Sequence, residues 1–75
     1  MVIIYSTPTC PYCEMAKEFF KANNIQFETF DVATDLTKRQ EMVEKSGQMG
    51  VPVILIDSEI IVGFDKTKLS KVLGV

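Results

Sequence analysis

Thr9-Cys10-Pro11-Tyr12-Cys13 holds both cysteines of the chain and sets them three positions apart. Before it, Val2-Ile3-Ile4-Tyr5 is a short run of β-formers; after it, Glu14 to Asn23 carries apolar residues at helical spacing. The cysteines therefore sit where a strand hands over to a helix. Pro11 suits the first helical turn, where its missing N–H would have had no partner, which puts Cys10 at or beside the N-cap and Cys13 within the first turn. Two residues so spaced on a helix have Cα atoms roughly 5 Å apart. A disulfide accepts that distance without backbone movement.

Length and composition narrow what such a pair can be for. A chain of 75 residues is expected to make one domain, residues 1–75, and to bury only ~60–65% of the surface its unfolded form exposes. With 47% hydrophobic and 24% charged residues it reads as an ordinary globular protein. No apolar run approaches the ~18 residues of a membrane span. Met1 to Ile4 is apolar but lacks a basic start, a long hydrophobic region and a small-residue cleavage site, so no signal peptide is read and a cytoplasmic location is expected. The net charge is −2 and no basic cluster exceeds Lys38-Arg39, which argues against a nucleic-acid surface. A bridge closing so short a loop would stabilise the fold by only about 2 kcal/mol, so stapling is a poor reason for the cysteines.

The rest of the chain reads as alternating strands and helices. Val2 to Tyr5 suits a central strand covered on both faces. Ala16, Phe19 and Phe20 recur at i, i+3, i+4 against Glu14, Lys17, Glu18 and Lys21, giving an amphipathic helix over 11–22 that ends at Asn23-Asn24. Ile25 to Val32 alternates like a half-exposed edge strand. Thr34 or Thr37 can cap a second helix, with Gln40 completing a capping box, Gly47 as the stop and Leu36, Met42 and Val43 as a narrow apolar stripe. Val53-Ile54-Leu55-Ile56 and Glu59-Ile60-Ile61-Val62, joined by Asp57-Ser58, read as an antiparallel hairpin. Asp65 can cap a last helix that buries Leu69, Val72 and Leu73 and stops at Gly74. Residues 1–32 form a βαβ unit with parallel strands. Met1, Met15, Met42 and Met49 read as packing or surface residues.

Three segments at these spacings carry a family resemblance: Tyr5-Ser6-Thr7-Pro8-Thr9-Cys10-Pro11-Tyr12-Cys13, Gly50-Val51-Pro52 before the third strand, and Val62-Gly63-Phe64-Asp65 before the last helix. Across essentially all 75 residues the chain resembles the glutaredoxins, small members of the thioredoxin fold. The resemblance implies an α/β fold, a four-stranded mixed sheet flanked by three helices in the order β-α-β-α-β-β-α. It implies a cis peptide at Val51-Pro52 facing the cysteines, with the Val51 main chain offered to the substrate like an added strand. It implies a dithiol oxidoreductase with no bound cofactor and glutathione as electron donor, acting as a monomer on disulfide-bearing or glutathionylated proteins. The glutathione groove would be lined by Thr7, Pro11, Tyr12, Val51, Pro52, Gly63, Phe64 and Asp65. Two positions depart from the pattern: many glutathione-binding members carry Lys where this chain has Thr7, and Gly-Gly where it has Gly63-Phe64. The Gly-Phe form looks more like the redoxins that draw electrons from thioredoxin reductase and serve ribonucleotide reductase.

Roles follow from position on the helix. Cys10 at the N-terminus meets the positive end of the dipole and free N–H groups, which favour a thiolate, and is the expected nucleophile. Cys13, deeper in the helix, is the expected resolving thiol with the higher pKa. For any thiol lowered from ~8.5 to ~5, the thiolate fraction at pH 7 rises about 30-fold while intrinsic nucleophilicity falls about 40-fold. The gain from the helix terminus is therefore in leaving-group quality, when a second thiol attacks the mixed disulfide.

Blander readings stand beside these. The cysteines could be half of a zinc or iron–sulfur site shared by two copies, although the chain has no His and no other Cys. Tyr12 fits a substrate rim or an exposed loop aromatic equally, Pro8 reads as shaping its loop, Asp65 reads as a cap before a ligand contact, and Phe64 as core before a lid.

Overall fold

The computed structural model describes residues 2–48 and 50–75, so the readings of Met1 and Met49 lie outside the described residues. Its elements are β1 (Val2–Ser6), α1 (Pro11–Ala22), β2 (Phe27–Asp31), α2 (Leu36–Ser46), β3 (Val53–Ile56), β4 (Glu59–Val62) and α3 (Lys66–Leu73). The sheet order is β2-β1-β3-β4, with β1 and β2 parallel and the other neighbours antiparallel. This is the thioredoxin-like arrangement expected from the sequence.

Strand alternation sorts the core into two layers. Val2 and Ile4 of β1 and Ile54 and Ile56 of β3 point to the face where α1 supplies Ala16 and Phe20 and α3 supplies Leu69. Tyr5, Val53 and Leu55 point to the other face, under Met42 of α2 and Val32. β1 and β3 are thus covered on both sides, which is why they read as continuous apolar runs. Met42 is buried and Met15 is exposed.

Several local expectations are corrected. The cap of α2 is Asp35, whose carboxylate accepts the Lys38 N–H at 3.1 Å. Asp31 folds the preceding turn, accepting the Ala33 N–H on its side chain and the Asp35 N–H on its carbonyl, both at 2.9 Å. That turn carries the chain past Thr34 and leaves Thr37 inside the helix, so no Thr37–Gln40 capping box forms. Gln40 donates to Glu44 instead, at 3.3 Å. Strand β2 starts at Phe27, because the Ile25 N–H closes the end of α1 on the Phe20 carbonyl at 2.9 Å. Leu36 is 70% exposed and Val72 36% exposed, so the apolar faces of α2 and α3 are narrower than their sequences suggest. Asp65 caps α3, accepting the Lys68 N–H at 3.1 Å. Gly47 and Gly74 end α2 and α3 in the left-handed conformation.

Candidate active site

The three sequence segments singled out above meet at one end of the sheet, and the strand register explains why. The β1–β3 ladder ends at Tyr5 opposite Val53, so the chain enters β3 through Val51-Pro52 where β1 runs out into Ser6 and Thr7. The β3–β4 ladder ends at Val53 opposite Val62. Immediately beyond it the Gly63 N–H donates to the Pro52 carbonyl at 2.8 Å, tying the third segment to the second. Gly63 has a φ of +81°, a left-handed conformation that glycine adopts without the penalty of a Cβ. The Val51-Pro52 bond is cis.

Cys10 is the N-cap of α1, in extended conformation, with its N–H donating to the Thr7 carbonyl at 3.4 Å. Its sulfur does what a capping oxygen does elsewhere: the Cys13 N–H donates to Cys10 Sγ at 3.2 Å. Pro11 occupies the first turn and donates nothing there, as its position requires. The two thiols are free. They differ in access, since Cys10 keeps 9% of its surface while Cys13 keeps none. Pro11 and Tyr12 between them are exposed.

Burial pushes the Cys13 thiol well above the ordinary range, and the hydrogen bond with Cys10 adds to it. The Thr7 main chain and the positive charge of Lys17 act in the opposite direction. The higher pKa expected for the inner thiol is thus what its surroundings produce.

The other residues named from the sequence lie around this end of the sheet. Tyr12 is 60% exposed beside Cys10. Thr7 and Gly63 are half-buried. Val51 packs on the α2-side core with Tyr5, Met42 and Val53. Phe64 leans on the opposite core, edge-on to Phe19 with ring centroids 6.1 Å apart. Asp65 is engaged in its cap. Lys17, one turn beyond Cys13, was assigned by its sequence only to the polar side of α1, yet its side chain is just 22% exposed. Its spacing of four from Cys13 is the signal that marks it. Among the described residues no three His, Cys, Asp or Glu cluster as metal ligands, and no helix is long and apolar enough to cross a membrane.

Comparison with known proteins agrees with this geometry. A family model described as glutaredoxin matches residues 2–61. The chain is 52% identical over 73 residues to a glutaredoxin-like 8.6 kDa protein in a rubredoxin operon of Clostridium pasteurianum, covering 97% of each. It is 39% identical over 64 residues to glutaredoxin 3 of Escherichia coli strain K12, covering 85% of this chain and 77% of that one. Among solved structures, a glutaredoxin from Archaeoglobus fulgidus superposes with a TM-score of 0.88 at 25% identity, covering 96% of this chain and 84% of that one. The match of the family model over residues 2–61 and the 39% identity to glutaredoxin 3 show that the chain belongs to the glutaredoxin family, as a redox protein of the thioredoxin fold.

Proposed function

We propose that the protein is a dithiol oxidoreductase that reduces protein disulfides and glutathione mixed disulfides, with Cys10 as nucleophile and Cys13 as resolving thiol. The observation that carries this reading is the asymmetry of the pair. One sulfur sits at the helix cap, accepting an N–H, in a residue that keeps 9% of its surface; the other is fully covered behind it. An incoming disulfide RSSR′ can meet only the Cys10 sulfur. Attack forms a Cys10–SR bond and breaks the R–R′ sulfur bond, and R′S⁻ leaves and takes a proton. Cys13 then loses its proton, attacks Cys10 and displaces RS⁻, which is protonated in turn. Two electrons have passed to the substrate, leaving a Cys10–Cys13 disulfide that two thiols of an external reductant reopen.

In this reading Val51 offers main-chain groups to the substrate, Tyr12 and Pro11 border it, and Thr7, Pro52, Gly63, Phe64 and Asp65 shape the groove. Glutathione is the proposed reductant. Thr7 and Gly63-Phe64 favour a second reading of the donor alone, thioredoxin reductase, because neither the basic side chain nor the second glycine typical of glutathione sites is present.

The test is steady-state reduction of a glutathionylated mixed disulfide, run with glutathione and glutathione reductase and, separately, with thioredoxin reductase, each drawing on NADPH. Turnover with glutathione establishes the proposed donor; turnover with thioredoxin reductase alone moves the protein to the second. Absence of both removes the oxidoreductase assignment and leaves the metal-sharing dimer as the reading to examine.

A further inference from the structure

Burial that protects Cys13 also makes it hard to ionise, and a resolving thiol must become a thiolate to act. Lys17 is placed to answer this. It follows Cys13 by four residues on α1, the spacing that sets two side chains on one helix face. Its ammonium is 3.3 Å from Glu14 Oε1, and its side chain is largely covered, which is uncommon for lysine. Together with Ser6, Thr7, Pro8, Thr29 and Asp31 it lines a cavity of about 160 Å³. Thr7 lines this cavity beside Lys17, and its main chain, like the Lys17 charge, favours ionisation of the Cys13 thiol.

We propose that Lys17 is the positioning residue for the resolving step, its ammonium held behind Thr7 so that negative charge can develop on the Cys13 sulfur as it attacks the Cys10 mixed disulfide. The proposal rests on the roles given to the two cysteines above. The charged and titratable groups around this step are Cys10, Glu14 and Lys17 on α1 and its cap, Asp31 across the cavity from β2, and the Thr7 main chain from the loop. Cys10 opposes ionisation of Cys13, and Thr7 and Lys17 favour it. Glu14 tethers the ammonium within the first two turns of α1.

The experiment measures alkylation of Cys13 by iodoacetamide across a pH series in Cys10→Ser protein, alone and combined with Lys17→Gln or Lys17→Arg. Because the reagent is neutral, Lys17 does not steer it. Lys17→Gln should slow alkylation near pH 8 about 3–10-fold, the change in thiolate fraction for half to one pKa unit, with the two profiles converging at high pH. Lys17→Arg, which keeps the charge, should follow the parent profile. An unchanged profile, or a drop uniform over all pH as from altered access, overturns the proposal. In the otherwise unsubstituted protein, Lys17→Gln should lower the ratio of protein-disulfide turnover to monothiol turnover. Alkylation needs no turnover, so failure of the oxidoreductase reading and failure of the Lys17 role give separate results; should Lys17→Gln not fold, Lys17→Ala is measured in its place.

Discussion

The Cys13 N–H donates to Cys10 Sγ at 3.2 Å, so the second cysteine's backbone holds the first cysteine's sulfur while its own side chain lies buried beneath. This division makes the two positions unequal under substitution. Cys10→Ser keeps a capping oxygen, hence the helix, but removes the more accessible of the two thiols; disulfide reduction should fall to background with the melting temperature nearly unchanged. Cys13→Ser should stop reduction of protein disulfides while sparing turnover of small glutathione mixed disulfides, because an external thiol can resolve those. Coupled NADPH assays with both substrate types check the pair, and full dithiol activity in Cys10→Ser would sink the assignment.

Phe20 carries the α1 side of the core. It is fully buried, with Phe19 and Phe27 rings 5.8 and 5.5 Å away. Phe20→Ala should cost about 3–5 kcal/mol, a large share of the about 4–11 kcal/mol expected for a chain of this length. Leu36→Ala, at a side chain 70% exposed, should stay within about 0.5 kcal/mol. Urea unfolding followed by circular dichroism compares the two midpoints directly.

On the opposite face, the buried Tyr5 hydroxyl donates to Glu41 Oε1 at 2.6 Å, and Lys38 and Lys45 approach the same carboxylate at 3.4 Å. The hydrogen bond from Tyr5, foremost, holds the Glu41 carboxyl below its usual range. A carboxylate whose pKa is lower folded than unfolded contributes stability above the unfolded value, about 4.3, and loses it as pH falls through the folded one. Burial, aided by the same bond, raises Tyr5, whose contribution is therefore full below about pH 10 and lost on further rise. Parent protein should lose stability faster than Tyr5→Phe between pH 6 and pH 3. Urea midpoints over that range provide the check; parallel slopes would remove this pair from the acid response.

What could be read from the sequence, and what could not, divides along a physical line. α1 was legible because Pro11, the spacing of Ala16 and Phe20, and Asn23 all point to one element. The hairpin was legible because apolar runs on both sides of Asp57-Ser58 leave little else to form. The convergence of Cys10, Val51-Pro52 and Gly63 needed the family resemblance, since no local pattern sets which strand ends meet. Lys17 was missed because helical spacing assigns a lysine to the solvent face without showing that a neighbouring loop roofs it. Leu36 and Val72 were misplaced because periodicity tells which face is apolar, not how far the sheet beneath extends.

The cap of α2 was missed for a different reason, and it gives a direct test. Thr34, Asp35 and Thr37 are all competent N-caps, so sequence alone cannot choose among them. The choice is made upstream, where Asp31 turns the chain and takes the Asp35 N–H on its carbonyl at 2.9 Å, leaving the Asp35 side chain to accept from Lys38. Asp35→Ala should therefore cost about 1 kcal/mol, and Thr37→Ala close to nothing, since Thr37 lies past the cap and alanine is the better helix former. Asp31→Ala should weaken the same helix indirectly, by releasing the Ala33 N–H that its carboxylate accepts at 2.9 Å. Thermal melts of the three variants separate these cases: a larger loss in Thr37→Ala than in Asp35→Ala would mean that the capping box, not the Asp31 turn, sets where α2 begins.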